Sequence, residues 1–147
     1  MYKVELKGLQ QVLANIEKYS KDLADGIDQD LSTAAESVAV MAKTKAPIGK
    51  TGALGEYIRA DVSIRFQKTV TVYAPYAAYV EFGTGVKVFK TPEFNFTPEM
   101  KAYAMEFYVS GKGREPAHPY LFPSLEIEKV RLIARIKERL FGKTTRL

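Results

Sequence analysis

Residues 58–66 read Ile-Arg-Ala-Asp-Val-Ser-Ile-Arg-Phe, with Ile58, Ala60, Val62, Ile64 and Phe66 alternating against Arg59, Asp61, Ser63 and Arg65. A repeat of two sends one set of side chains to a core and the other to water, which is a half-buried strand. Gln67-Lys68 is read as the turn that follows, and Thr69–Ala74 as the hairpin partner. Pro75 ends the partner, because proline has no N–H to give a sheet. Upstream the period changes. From about Lys21, Leu23, Ile27, Leu31, Ala34, Ala35, Val38, Met41 and Ala42 fall on one helical stripe, with Asp25, Asp28, Asp30, Glu36 and Lys43 mostly off it. Pro47 stops this helix, and Gly26 marks a kink or break within it. Leu9, Val12, Leu13 and Ile16 recur at helical spacing before it, and residues 3–7 alternate as a short edge strand ending at Gly8.

Downstream of the hairpin, Tyr76–Phe82 is a compact aromatic and apolar segment closed by the flexible turn Gly83-Thr84-Gly85. Thr97-Pro98-Glu99 combines an N-cap, a first-turn proline and an acidic residue, which predicts a short helix over Pro98–Phe107. His118–Pro123 is held extended by its prolines. The last helix then begins near Pro123 or Ser124 and runs to Phe141, where Gly142 stops it. The order helix, helix, strand, strand, helix predicts an α+β fold and not a parallel βαβ alternation. Amphipathic N-terminal helices and a C-terminal helix pack on a small antiparallel sheet, with a long flexible loop. At 147 residues the chain is one domain, 1–147, in which 86–113 is the variable loop region.

Composition removes whole classes of chemistry. Cysteine is absent and His118 is the only histidine, so disulfides, thiolate nucleophiles and multi-histidine metal sites are excluded within one chain. Met1–Gln11 has no apolar signal core, and no apolar run approaches the length of a membrane span. The chain is read as a soluble protein made in a reducing compartment. Net charge is +5, and residues 126–147 hold seven Lys/Arg against three Glu. The excess therefore sits on the C-terminal helix and tail, where Arg131, Arg135 and Arg139 align at i, i+4 and i+8 as candidate contacts to an acidic partner. A solvated face and a small basic nucleic-acid-binding module using this helix are the other readings of the same charge.

No catalytic constellation emerges. Gly49-Lys50-Thr51 resembles the end of a phosphate loop, but Thr44 stands where that motif needs glycine, and a helix precedes where a strand belongs. Gly83-Thr84-Gly85 and Gly111-Lys112-Gly113 are too short to cradle a dinucleotide. His118 lies between prolines, and there is no Gly-x-Ser-x-Gly elbow. The expectation is a protein that is not an enzyme and holds no cofactor or metal. The dense aromatics from Tyr73 to Phe122 leave three readings open: core packing, a protein interface, and stacking on bases. Glu81, set among Tyr79, Val80 and Phe82, must be exposed, hydrogen-bonded or paired at a subunit joint.

Two stretches together resemble a known family. Residues 47–58, Pro-Ile-Gly-Lys-Thr-Gly-Ala-Leu-Gly-Glu-Tyr-Ile, carry Pro47, Thr51, Gly52 and Leu54 of a Pro…Thr-Gly-x-Leu signature. Residues 74–85 carry Tyr76, Tyr79, Glu81, Phe82, Gly83 and Thr84 of Tyr-Ala-x-Tyr-Val-Glu-Phe-Gly-Thr, followed by Pro119, Leu121 and Pro123. Tyr57, Tyr120 and Ser124 depart mildly from this pattern. The ordered set is similar to the tail-component family of long-tailed bacteriophages, the tail-completion or head–tail joining proteins. That resemblance implies a structural virion protein, made in the bacterial host cytoplasm, that caps the head-proximal end of the tail. It implies a homo-oligomeric ring whose partners are the tail tube or tail terminator and the head connector or stopper, with DNA passing through and neither sequence-specific binding nor a membrane involved. Segments 76–85 and 116–123 are expected to lie near each other and to help form the subunit interface.

Overall fold

The computed structural model describes residues 2–6, 10–49, 52–105 and 113–142. Lys50, Thr51, the stretch 106–112 and the tail residues Lys143 and Arg146 lie outside them. In chain order the elements are β1 (Tyr2–Leu6), α1 (Gln10–Tyr19), α2 (Lys21–Lys45), α3 (Ala53–Glu56), β2 (Ile58–Ile64) and β3 (Gln67–Val72), then α4 (Ala77–Phe82), a 3-10 turn at Gly85–Lys87, α5 (Pro98–Met105) and α6 (Leu121–Phe141). The strands form one antiparallel sheet in the order β1-β3-β2, with Val4 opposite Val70 and Ile58 opposite Val72. This is the expected α+β architecture.

The helix α2 obeys its sequence signals. Ser20 caps it, its hydroxyl accepting the Leu23 N–H at 3.3 Å, and the ladder closes at Ala46 just before Pro47. Its buried face is mostly alanine (Ala24, Ala34, Ala35, Ala39, Ala42), so the backbone approaches both the sheet and α6 closely. Gly26 does not break the helix: it is buried inside α2, and the Arg139 guanidinium of α6 occupies the space a Cβ would fill. The expected loop at 47–55 contains the short α3, entered through Gly52 at φ 64, and this turn delivers Leu54 to the core.

The hairpin differs from its sequence reading at the turn. Gln67 and Lys68 belong to β3, and the chain reverses at Arg65-Phe66, with Phe66 at φ 59. The reason lies outside the hairpin. Asp28 of α2 accepts the Phe66 N–H at 2.7 Å and pairs with the Lys68 ammonium at 2.9 Å. Lys68, only 1% exposed, also donates to the carbonyls of Val62 and Ile64 at 3.0 and 2.8 Å. Those carbonyls are turned to the ammonium, the β2–β3 register shifts between Asp61 and Ile64, and Ile64 ends 53% exposed where alternation had placed it inward.

The main core gathers Tyr2, Val38, Ile58, Val70, Val72, Phe82, Tyr120 and Leu121, and a second cluster joins Ile27, Leu31, Phe66 and Leu132. Between the 3-10 turn and α5 the chain has no regular structure, yet Phe89 and Phe96 stack on Phe82 at ring separations of 6.1 and 5.6 Å, and Phe94 meets Phe96 at 5.2 Å. Thr97 caps α5 through the Met100 N–H as its sequence predicted. Lys68 supplies a test of the turn. Replacing it by Met is expected to leave two carbonyls and Asp28 without their donor, lowering stability by about 2–4 kcal/mol. The measurement is the urea midpoint at constant m-value; an unchanged midpoint would contradict this account.

Candidate functional site

The family-motif residues converge on one buried carboxylate. Glu81 lies on α4 at 0% exposure, and its oxygens accept the backbone N–H groups of Tyr120, Leu121 and Phe122, each at 2.9 Å. These are the N-cap, first and second positions of α6, and the third is Pro123, which has no N–H. A helix start leaves four donors without helical partners; here one carboxylate takes three and proline deletes the fourth. The positive end of the helix dipole then faces the acid. This is why α6 begins at Leu121 and not at Pro123 or Ser124 as the prolines suggested. The Tyr120 hydroxyl donates back to the Ala77 carbonyl at 3.1 Å, and Ser124 donates to the Tyr120 carbonyl at 2.6 Å.

Around this cap the two motif segments are stitched together. The His118 N–H donates to the Val80 carbonyl at 2.8 Å, the Thr84 N–H to the Glu115 carbonyl at 2.8 Å, and the Glu115 N–H to the Thr84 hydroxyl at 2.9 Å. Gly83 makes the crossing possible. Its φ of 78 and ψ of −177 form a glycine-only conformation, and a Cβ would come within 2.8 Å of the Ala117 nitrogen and the Lys87 carbonyl. His118 contributes its backbone here, and its side chain is exposed.

Segments 76–85 and 116–123 therefore lie together, as expected, but most of their motif residues face inward. Glu81, Phe82, Gly83, Pro119 and Leu121 are buried in the chain's own core, as is Leu54; Pro47, Gly52, Thr84 and Pro123 are half-buried, and Thr51 lies outside the described residues. Tyr76 and Tyr79 alone of the set point out, 42% and 46% exposed. Tyr57 and Tyr73, not singled out as contact residues from the sequence, join them at 46% and 56%, with the Tyr73 N–H on the Tyr57 carbonyl at 3.0 Å. The aromatics thus divide into a buried group around Phe82 and an outward tyrosine group.

The arginine expectation is corrected too. Arg135 reaches Glu128 at 2.6 Å and Arg131 lies 3.6 Å from the same carboxylate, while Arg139 clasps Asp30 of α2 with two nitrogens. The acids that meet these arginines belong to the same chain, in the seam between α2 and α6. Sequence reasoning missed this because both acids sat on faces assigned to solvent. Among the described residues no three His, Cys, Asp or Glu converge to hold a metal, and no helix is long and apolar enough to cross a membrane.

Compared with known proteins, residues 10–83 match the model of the family described as "Bacteriophage HK97-gp10, putative tail-component". The match runs from α1 to Gly83, covers half of the chain, and includes Glu81. No curated protein and no solved structure matches the chain.

Two measurements probe the joint. Burial pushes the Glu81 carboxyl up to about 7, against the three N–H groups that pull it down. Between its ordinary value of 4.5 and about 7 the folded chain then holds more proton than the unfolded one. Stability contributed by this group falls as pH rises through that window, by up to ~1.4 kcal/mol per pH unit, and is flat above it. Urea titrations across the window should show this slope vanishing in Glu81→Gln; parallel curves for variant and parent would refute the assignment. Gly83→Ala should cost on the order of 3 kcal/mol or more, since strain and collision add. Gly142→Ala is the control, having the same conformation (φ 76, ψ 176) with nothing within 4 Å. Equal losses from the two would remove the collision from the explanation.

Proposed function

The chain belongs to the HK97-gp10-like family of bacteriophage tail components, and from that membership we propose that it completes the head-proximal end of a phage tail and joins it to the head connector as a closed ring. The observation that carries this reading is the rigid joint at Glu81 with its outward tyrosines. Tyr57, Tyr73, Tyr76 and Tyr79 stand exposed on a base that backbone hydrogen bonds and a buried carboxylate hold fixed. Tyrosine presents an apolar ring and a polar tip at little entropic cost, which suits a surface that must dock on other virion proteins. A ring needs a head-to-tail interface that closes by rotation, so each subunit presents two different faces to its neighbours.

In this role the protein is a structural part without catalysis, lying between the tail tube or terminator on one side and the connector or stopper on the other. DNA passes through its ring during packaging and ejection without base-specific contacts. The pairing of Arg135 and Arg139 to acids of the same chain favours this reading over a nucleic-acid-binding module on α6.

The test is negative-stain microscopy of a lysate in which an early stop codon silences the gene, with a complemented lysate beside it. Filled heads accompanied by separate or misfinished tails are expected, and complementation should restore joined particles. Normal infectious particles from the silenced lysate would overturn the proposal.

A further inference from the structure

The two core clusters do not close against each other everywhere. Where α6 leans over α2 and the sheet, a cleft of about 370 Å³ opens to solvent, walled by Leu31, Phe66, Leu125 and Leu132. Glu5, Glu126 and Glu128 line it as well, with Lys129 the one cation among its lining residues. An apolar hole rimmed by carboxylates fits an apolar anchor arriving with positive charge.

The same chain carries such an anchor. Phe141, on the last turn of α6, is 83% exposed, more than any other aromatic among the described residues, and Leu140 beside it is 39% exposed. Lys137 precedes it and Lys143 and Arg146 follow in the sequence, with Glu138 the only acid of that stretch. The stretch of α6 that lines the cleft is centred near Lys129, so the anchor stands about 18 Å further along the same helix at the helical rise. A rigid helix cannot fold back to fill its own hole, so this knob and hole meet only between two copies.

We infer that Phe141 of one copy seats in the α2–α6 cleft of the next, forming the head-to-tail contact of the ring; this rests on the ring reading above and names the surfaces that build it. Because knob and hole are different patches, the contact is heterologous and every subunit can give one and receive one.

The chain has no cysteine, so introduced ones report cleanly. A variant with both Lys129→Cys, at the cleft, and Leu140→Cys, beside the anchor, is oxidised mildly in tails purified from a complemented lysate and as concentrated free protein. A ladder of covalent multimers is expected from the double variant. Neither single variant should cross-link, because a head-to-tail contact never brings two copies of one position together. Dimers from a single variant would overturn the inference, as would the absence of a ladder from both samples. An immunoblot of the tails separates the two readings. Protein present in tails without a ladder sinks the Phe141 contact alone, whereas protein absent from tails sinks the tail-completion role and leaves the concentrated sample to decide the contact. As a second arm, Phe141→Asp should keep the parent's melting temperature and enter tails at least tenfold less, while Phe141→Tyr should enter normally. Normal entry of Phe141→Asp would likewise overturn the inference.

Discussion

A carboxylate taken out of water must find donors or give up its charge. At Glu81 the donors are the first three N–H groups of α6, and much of the fold depends on that arrangement. Both sides of the contact gain. The helix start is relieved of donors that nothing in its own sequence caps, since Tyr120 at the N-cap has no short acceptor side chain to offer. The acid acquires three hydrogen bonds and the favourable end of a helix dipole. Once α4 and the start of α6 are clamped, the direction of α6 is set, and with it the long seam along α2.

Along that seam the chain uses opposite charges where more apolar surface would have sufficed. Asp30 with Arg139 and Glu128 with Arg135 tie α6 down, and Asp28 with Lys68 ties α2 to the hairpin. These pairs differ in weight. Lys68 is almost wholly buried, so its partners are indispensable to it, whereas Arg139 is 39% exposed and solvent screens part of its attraction. The seam also explains a glycine in mid-helix: Gly26 lets the Arg139 guanidinium lie flat against α2. Directional pairs of this kind fix how far α6 slides along α2, which an alanine-faced helix leaves loosely defined.

How much of this was legible depended on the distance over which each signal acts. The helix α2 was readable from its stripe, from Pro47 and from charges kept off the stripe, all local. The hairpin was readable as two strands, but its turn was placed two residues late, because Asp28 captures Phe66 from 38 positions away. The start of α6 was misplaced for the same reason: its cap comes from Glu81, 39 residues before Tyr120. The paired stretches 76–85 and 116–123 were legible as a set through the family they resemble. Their burial was not, since Tyr79-Val80-Glu81-Phe82 fits an exposed rim as well as a core, and only the partner segment decides between the two. The arginines of α6 advertised an acidic partner, and the sequence had no means of saying that it was internal.

The sheet order has a bearing on how the protein is made. Strand β1 is the first element to leave the ribosome, yet it pairs with β3, so Val4 waits for Val70. Glu81 in turn waits for Tyr120, Leu121 and Phe122. Contacts of such long sequence separation form slowly and late. A nascent chain that has released only its N-terminal helices and hairpin holds an uncapped acid where the finished subunit has a closed joint. Completion of synthesis and completion of the core are therefore nearly the same event, and a truncated chain lacks the element that would make it rigid.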